Sequence, residues 1–364
     1  MNRVFALIGV LMTGSLQVFA QQPAPSFNKE TLLYQGEEKH LKNVRQLTFG
    51  GDNAEAYFSF KGDKITFQAH NAAWGDSCDQ IYTYDLNGKL NMKDQKPQLI
   101  STGKGRTTCS YFLPGDSLIL YGSTHEANAD CPPVPAKRAD HKYVWAVYPS
   151  FDIYVTDLKG TIRKKLTDTP GYDAEATISP DGKSIVFTSM RSGDLELYIM
   201  DIDGKNVRQI TNELGYDGGA FFSPDNKKLV FRASRPKTEE EIKTYKDLLK
   251  ENLVMPTDMS LYTVDVDGKN LTRVTDLPHA SWAPFFSHNG KKIIFSSDYK
   301  SDRGLPFNLY MVDVDGKNLE QITFDAMFDA FPMFSPDGKH LIFSSNRNNN
   351  GQHQMNLFIA DWVD

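Results

Sequence analysis

A short unit recurs along this chain, and its recurrence restricts the fold more than any other feature. From Ala174 to Thr211 the sequence reads AEATISPDGKSIVFTSMRSGDLELYIMDIDGKNVRQIT. Gly219 opens GAFFSPDNKKLVF, Ala283 opens APFFSHNGKKIIF, and Phe331 opens FPMFSPDGKHLIF. Two looser copies lie upstream, AEAYFSFKGDKITF from Ala54 and CSYFLPGDSLILY from Cys109. The motif serine falls at Ser59, Ser179, Ser223, Ser287 and Ser335, with Leu113 in its place in the second copy. Where no insertion intervenes, the spacing approaches the roughly 40–50 residues of a propeller blade. A unit of this size cannot bury its own apolar face, so the copies must pack against one another.

Each copy reads as four strands bounded by turn residues. Strand A ends at Ser-Pro-Asp-Gly, strand B alternates around Ile185 and Phe187, strand C carries Leu197 to Met200, and strand D is the short segment Val207 to Thr211. Asp-Gly and Asn-Gly pairs at 87–88, 203–204, 267–268 and 315–316 suit the hairpins between C and D. Strands A, B and C occur six times, and the sequence reaches Asp364 just after the sixth C strand, Asn356 to Trp362. The missing D strand has a candidate at the other end: Asn43 to Thr48 contains VRQLT, a copy of Val207 to Thr211 with no blade before it. The expected fold is all-β, a six-bladed propeller of four-stranded blades over 43–364, its last blade closed by the N-terminal strand. Such closure hides two sheet edges that would otherwise invite aggregation. Residues 21–42 form an extension ahead of it.

Composition narrows the setting. The chain has 364 residues, 40% hydrophobic and 24% charged, which suits a packed globular domain. A net charge of -6 supplies no basic field, so nucleic acid is not an expected partner. Met1-Asn2-Arg3, the apolar run from Val4 to Leu16 and the small-residue site Val18-Phe19-Ala20 read as a signal peptide over 1–20, with the mature protein starting near Gln21. The apolar run is shorter than the ~20 residues a span needs, and no other stretch is a candidate span. The expected location is the periplasm or the exterior, both oxidising. Three cysteines there, Cys78, Cys109 and Cys131, imply one disulfide and one free thiol, with the pairing open. A zinc site with His70, His125 and His141 is the alternative, but the spacing fits no zinc template.

As a set, Ser-Pro-Asp-Gly-Lys, the apolar strand after it and Tyr-x-x-Asp-x-Asp-Gly resemble the WD40-like repeats of the TolB propeller family, over about residues 43 to 364. The resemblance implies a propeller of the bacterial envelope that binds a protein partner. TolB carries a mixed α/β domain ahead of its propeller, whereas only about twenty residues stand here between the signal and the first strand. Related propellers precede the catalytic domain of prolyl-oligopeptidase-like peptidases and form the body of some pectate-degrading lyases. Two alternatives follow: an accessory propeller of an exported peptidase system, or a carbohydrate lyase with His70, His125 and His279 as metal ligands. No Gly-x-Ser-x-Gly, His-Glu-x-x-His or phosphate-cradling loop is present. The expectation is a monomeric binding protein rather than an enzyme, with no required cofactor.

Antiparallel strands sort the loops between two faces. A–B and C–D turns share one face and are uniform; B–C and D–A loops share the other and carry the insertions. Thr124 to Ser150 enters the second blade with His125, Cys131-Pro132-Pro133, His141 and Trp145. Pro236 to Thr257 enters the fourth, with a helix capped by Thr238 and Glu241 and an apolar stripe of Ile242, Tyr245, Leu248 and Leu249. These insertions are either a partner site or a cover for the core. Six residues before the motif serine stand Asn53, Asp173, Asp217 and Asp329; four before it stand Glu55 and Glu175. They are expected at the mouth of the central channel, holding a divalent cation through oxygen ligands or pairing with Arg191, Arg235 and Arg347, each twelve residues after the serine. The repeated Asp-x-Asp-Gly reads as a hairpin turn, since it lacks the downstream ligands of a calcium loop. Trp74, Trp145 and Trp282 are candidate aromatic anchors, Trp282 alternatively packing between blades. The candidate binding set is Asp173, Glu175, Asp217, Asp329, Arg191, Arg235, Arg347, Trp282 and His125.

Overall fold

A computed structural model describes residues 26–139, 143–301, 304–349 and 354–364; the expected signal peptide and His141 lie outside the described residues. Six antiparallel four-stranded sheets follow one another around a central channel. The third blade is the plainest: Asp173–Ile178, Ser184–Ser189, Glu196–Asp201 and Arg208–Gln209. The motif serine explains its A–B turn. Ser179 Oγ donates to Asp181 at 2.7 Å and accepts from the backbone N–H groups of Lys183 and Ser184 at 3.2 and 3.0 Å, while Gly182 supplies the positive φ of 73°. Ser223 and Ser335 make the same bonds to Asp225 and Asp337. In the Asp-x-Asp-Gly turns, Gly204 N–H bonds Asp201 O at 2.8 Å, as the hairpin reading requires.

The ring closes as the copied segment implies, with the strand starting and ending two residues before the expected bounds. Leu41–Gln46 pairs antiparallel with Asn356–Trp362, in register Phe358 to Gln46 and Trp362 to Leu41. Thr48, the last residue of VRQLT, lies beyond the strand and caps it: Leu357 N–H donates to Thr48 Oγ1 at 2.8 Å. Leu197 N–H donates to Thr211 Oγ1 at 2.9 Å in the third blade, and Ile81, Ile153, Leu261 and Leu309 meet Ser101, Thr167, Thr275 and Thr323 the same way. One hydroxyl per blade therefore satisfies the N–H of the second residue of strand C.

Packing is between neighbouring blades. Leu120, Ile153, Ala176, Ile185 and Phe187 form one such layer, between the second and third sheets. Phe187 is fully buried, which stabilises the fold by about 1.5–3 kcal/mol relative to exposure. The insertion helix spans Glu239–Lys250, carries the full capping box of Thr238 and Glu241, and buries Tyr245 and Leu248 of the expected stripe. Cys78 and Cys131 form the disulfide, joining the B–C loops of the first two blades; Cys109 is buried and free, so it is not a disulfide partner. Among the described residues no helix is long and apolar enough to cross a membrane.

Candidate functional site: the channel, its cap and the loop face

Every A strand carries a bulge near its start, and the residue in it takes a left-handed φ. These residues are Glu55, Cys109, Glu175, Gly219, Ala283 and Phe331, with φ between 40° and 60°. All six line one small cavity of about 20 Å³, room for about one water. The positions four before the motif serine thus do meet at the channel. Glu175 is fully partnered there: Arg232 Nη2 donates to it at 2.7 Å, Tyr216 OH at 2.6 Å, Thr188 Oγ1 at 2.9 Å and Gly219 N–H at 2.8 Å. A Cβ at Gly219 would stand 2.2 Å from Arg232 Nη1, so any larger residue here would displace the guanidinium that holds Glu175. Across the ring, burial pushes the Glu55 carboxyl above its usual range against the opposing pull of Cys109 and Arg232, and Glu175 adds to the rise. The Cys109 thiol is pushed up by burial and then by Glu55 and Glu175, so it is not a ready nucleophile.

The aspartates six before the serine have a different place. Asp173, Asp217 and Asp329 are 1%, 0% and 0% exposed, each held by the arginine eighteen residues on in its own blade. Arg191 Nη2 donates to both Asp173 oxygens at 3.0 Å, Arg235 holds Asp217 through two nitrogens, and Arg347 Nη2 meets Asp329 at 3.0 Å. The guanidinium groups lie over aromatic rings of their sheets, Arg191 over Tyr198 at 5.0 Å, Arg235 over Tyr262 at 5.0 Å and Arg347 over Phe343 at 4.8 Å. Of the two alternatives for these aspartates, the pairing with arginines is the one found, while their expected place at the channel mouth is corrected: all three lie inside their blades, where an isolated charge would be too costly to bury and the guanidinium offsets it. His125 holds the position of the arginines in the second blade: its ring stands 4.4 Å from that of Tyr154, and burial lowers its basicity. Among the described residues, no three His, Cys, Asp or Glu are grouped to hold a metal ion.

Sequence reasoning missed Glu38. It lies in the extension, is 4% exposed, and meets Arg347 at 3.0 and 3.2 Å, so this arginine holds two carboxylates. Nothing in the repeat marks it, because it belongs to no copy.

The two insertions meet over the loop end of the channel. Trp145–Ala146 pairs antiparallel with Leu253–Val254, joining the second blade's insertion to the fourth's. Trp145 lies over Arg232 at 5.3 Å and 5.2 Å from Trp282. Trp282 in turn stacks on Phe307 at 4.4 Å and donates its Nε1–H to Pro256 O at 2.9 Å. Trp282 is 9% exposed and serves as the seat of the cap rather than a free anchor. The outer side of the loop face carries Val134, Tyr143, Leu305 and Met327, which are 72%, 57%, 46% and 41% exposed. A groove of about 740 Å³ runs between Pro133–Ala139 and Glu251–Leu253. The turn face is less plain than its uniform hairpins suggest: an apolar funnel of about 340 Å³, lined by Phe60, Tyr111, Pro180, Pro224, His288 and Pro336, opens there at the axis.

Six four-stranded blades closed by an N-terminal strand define a β-propeller, here with a two-insertion cap. The family model described as the TolB beta propeller domain matches residues 144–244 and 255–359, more than half of the chain, and the chain belongs to that family. Among solved structures it is similar to a TolB-type protein from Agrobacterium tumefaciens, at 21% identity and TM-score 0.54, over 86% of this chain and 91% of that one. TolB from Acinetobacter baumannii is similar at 20% identity and TM-score 0.52, over 85% of this chain and 63% of that one. An oligogalacturonate lyase in complex with manganese is similar at 15% identity and TM-score 0.53, over 94% and 98%. At these identities the likeness is one of fold. No curated protein matches the chain.

Proposed function

We propose that this chain is an exported binding propeller of the cell envelope, periplasmic or secreted, that engages a protein partner through its loop face and catalyses no reaction of its own. The observation that carries this reading is the pairing of Trp145–Ala146 with Leu253–Val254. It turns two insertions from non-adjacent blades into one platform, rigidly seated on Trp282, with exposed apolar side chains and a groove beside it. Exposed apolar groups on a fixed scaffold are what a protein interface needs. The signal-like start and the Cys78–Cys131 disulfide support an exported location. The funnel at the opposite end of the axis supports a second reading, in which an apolar side chain of the partner enters the turn face.

The test compares the two faces. The mature protein is used to capture partners from envelope fractions beside two variants: Tyr143→Asp with Met327→Asp on the loop face, and His288→Asp with Phe60→Asp at the funnel. Loss of capture in the first variant alone is expected. Loss in the funnel variant alone moves the site to the turn face, and no partner for the wild type removes the binding reading.

A further inference from the structure

The insertion of the second blade contains the run Cys131-Pro132-Pro133-Val134-Pro135-Ala136-Lys137-Arg138. Three prolines fix φ at their own positions, and each keeps the residue before it out of the helical region, so Cys131, Pro132 and Val134 are held extended and the run favours polyproline-II geometry. That helix has about three residues per turn, so positions three apart share an edge. The exposure follows this period: Pro132, Pro135 and Arg138 are half-buried, whereas Pro133, Val134, Ala136 and Lys137 are exposed. One edge lies on the propeller and two face outward.

The run is tied down along its length. Cys131 is bonded to Cys78 of the first blade, Tyr148 OH donates to Pro133 O at 2.8 Å, and Arg138 Nη1 reaches Glu251 of the fourth blade's insertion at 3.4 Å. A segment that already holds its bound shape loses little entropy on binding. Its outward ridge is also unusual. Val134 is the most exposed large hydrophobic among the described residues, and nothing in the packing of this chain accounts for leaving it in water.

We propose that Pro132 to Arg138 is a pre-formed polyproline-II rail, and that Pro133, Val134, Ala136 and Lys137 dock into an aromatic-lined groove of a protein partner that carries carboxylates beside that groove. The chemistry selects this occupant. A polyproline-II ridge offers flat apolar steps that pack on aromatic rings, and Pro132, Pro133 and Pro135 supply no N–H for a strand edge to pair with. Lys137, on the same edge as Val134, fixes the direction of docking through a carboxylate. The proposal rests on the loop-face reading and names the partner's chemistry at that face.

The test uses the full mature protein, oxidised, with the partner captured from envelope fractions and then titrated in purified form. Val134→Glu with Lys137→Glu alters only the outward ridge. Pro133→Gly with Pro135→Gly keeps Val134 and Lys137 but loosens the rail. Each pair is expected to weaken binding at least about tenfold, with the melting temperature and the Cys78–Cys131 bond unchanged. A photoreactive residue at Val134 is expected to crosslink to the partner next to aromatic side chains. Wild-type binding by either pair overturns the rail. If the Tyr143→Asp, Met327→Asp variant loses the partner while the ridge variants keep it, the loop face stands and the rail falls. A wild type that captures no partner overturns both.

Discussion

Blades three and six are built to one plan and closed in different ways. In blade three all four strands come from one run of chain; in blade six the outermost strand, Leu41–Gln46, comes from the other end of it. Both have the Asp–Arg pair and the hydroxyl cap, Asp173–Arg191 with Thr211 and Asp329–Arg347 with Thr48. Yet the Arg191 side chain is 18% exposed, while those of Arg347, Asp329 and Glu38 are all 0%. Where the chain itself does not hold the outer strand, a second carboxylate from the N-terminal segment is buried on the blade's arginine. The joint of the ring is thus locked by charge as well as by strand pairing.

The sharpest break in that comparison is removal of the joint. Deleting 22–48 strips blade six of its fourth strand, of Glu38 and of Thr48, and exposes the edge of Asn356–Trp362. Size-exclusion chromatography is expected to find no soluble folded monomer. A truncated protein that melts cooperatively at the temperature of the full mature chain would contradict the closure. Next in size come the two arginines. Arg347→Ala leaves Glu38 and Asp329 buried without a counter-charge and is expected to cost about 3–5 kcal/mol in denaturant unfolding. Arg191→Ala leaves one carboxylate beside a partly open site and is expected to cost about 1–3 kcal/mol. Equal losses would mean that the second carboxylate adds nothing to the lock.

The same contrast shows what the sequence makes legible. Copy number, strand order and closure are readable because most copies repeat the same turn and cap residues, down to VRQLT matching Val207 to Thr211. The Asp–Arg spacing is readable too, and the pairing it allows is the one found, whereas the direction of those aspartates is not. A bulge turns the residue two positions later, Glu175, toward the channel and leaves Asp173 inside the blade, and no residue type announces that bulge. Glu38 and the meeting of the two insertions are unreadable for a related reason. They join segments distant in sequence that occur once each, so no repeat exists to reveal them.

The hydroxyl caps come next. Thr48→Val and Thr211→Val each leave a buried N–H of strand C without its acceptor, at an expected cost of about 1–3 kcal/mol apiece. If the two blades differ only in how they are closed, the losses should agree. A clearly larger loss for Thr48→Val would show that the hydroxyl contributes to holding the N-terminal strand in place.

The smallest effect separates the blades by pH. At the first residue of strand C, blade six has Asn356, a neutral amide, and blade three has Glu196. Glu196 is 2% exposed, and its Oε2 has no hydrogen-bond partner. Burial pushes its carboxyl up to about 8, Thr211 opposes the rise, and Asp217 and Asp194 add to it. A carboxyl raised in the folded state is held there as the neutral acid. Its contribution to stability is therefore complete below the unfolded value, about 4.5, and is lost as pH climbs through about 8. Asp217 and Asp329 are raised in the same direction, so stability should fall across this window in the wild type. Glu196→Gln removes one contributor, and the first blade already has a glutamine, Gln80, at the start of strand C. Melting curves at about pH 5 and pH 8.5 should show a smaller fall for Glu196→Gln than for the wild type, with the residual fall coming from the two aspartates. Parallel slopes would mean that Glu196 is ionised in the fold and that blade three, like blade six, keeps its strand-C start insensitive to pH.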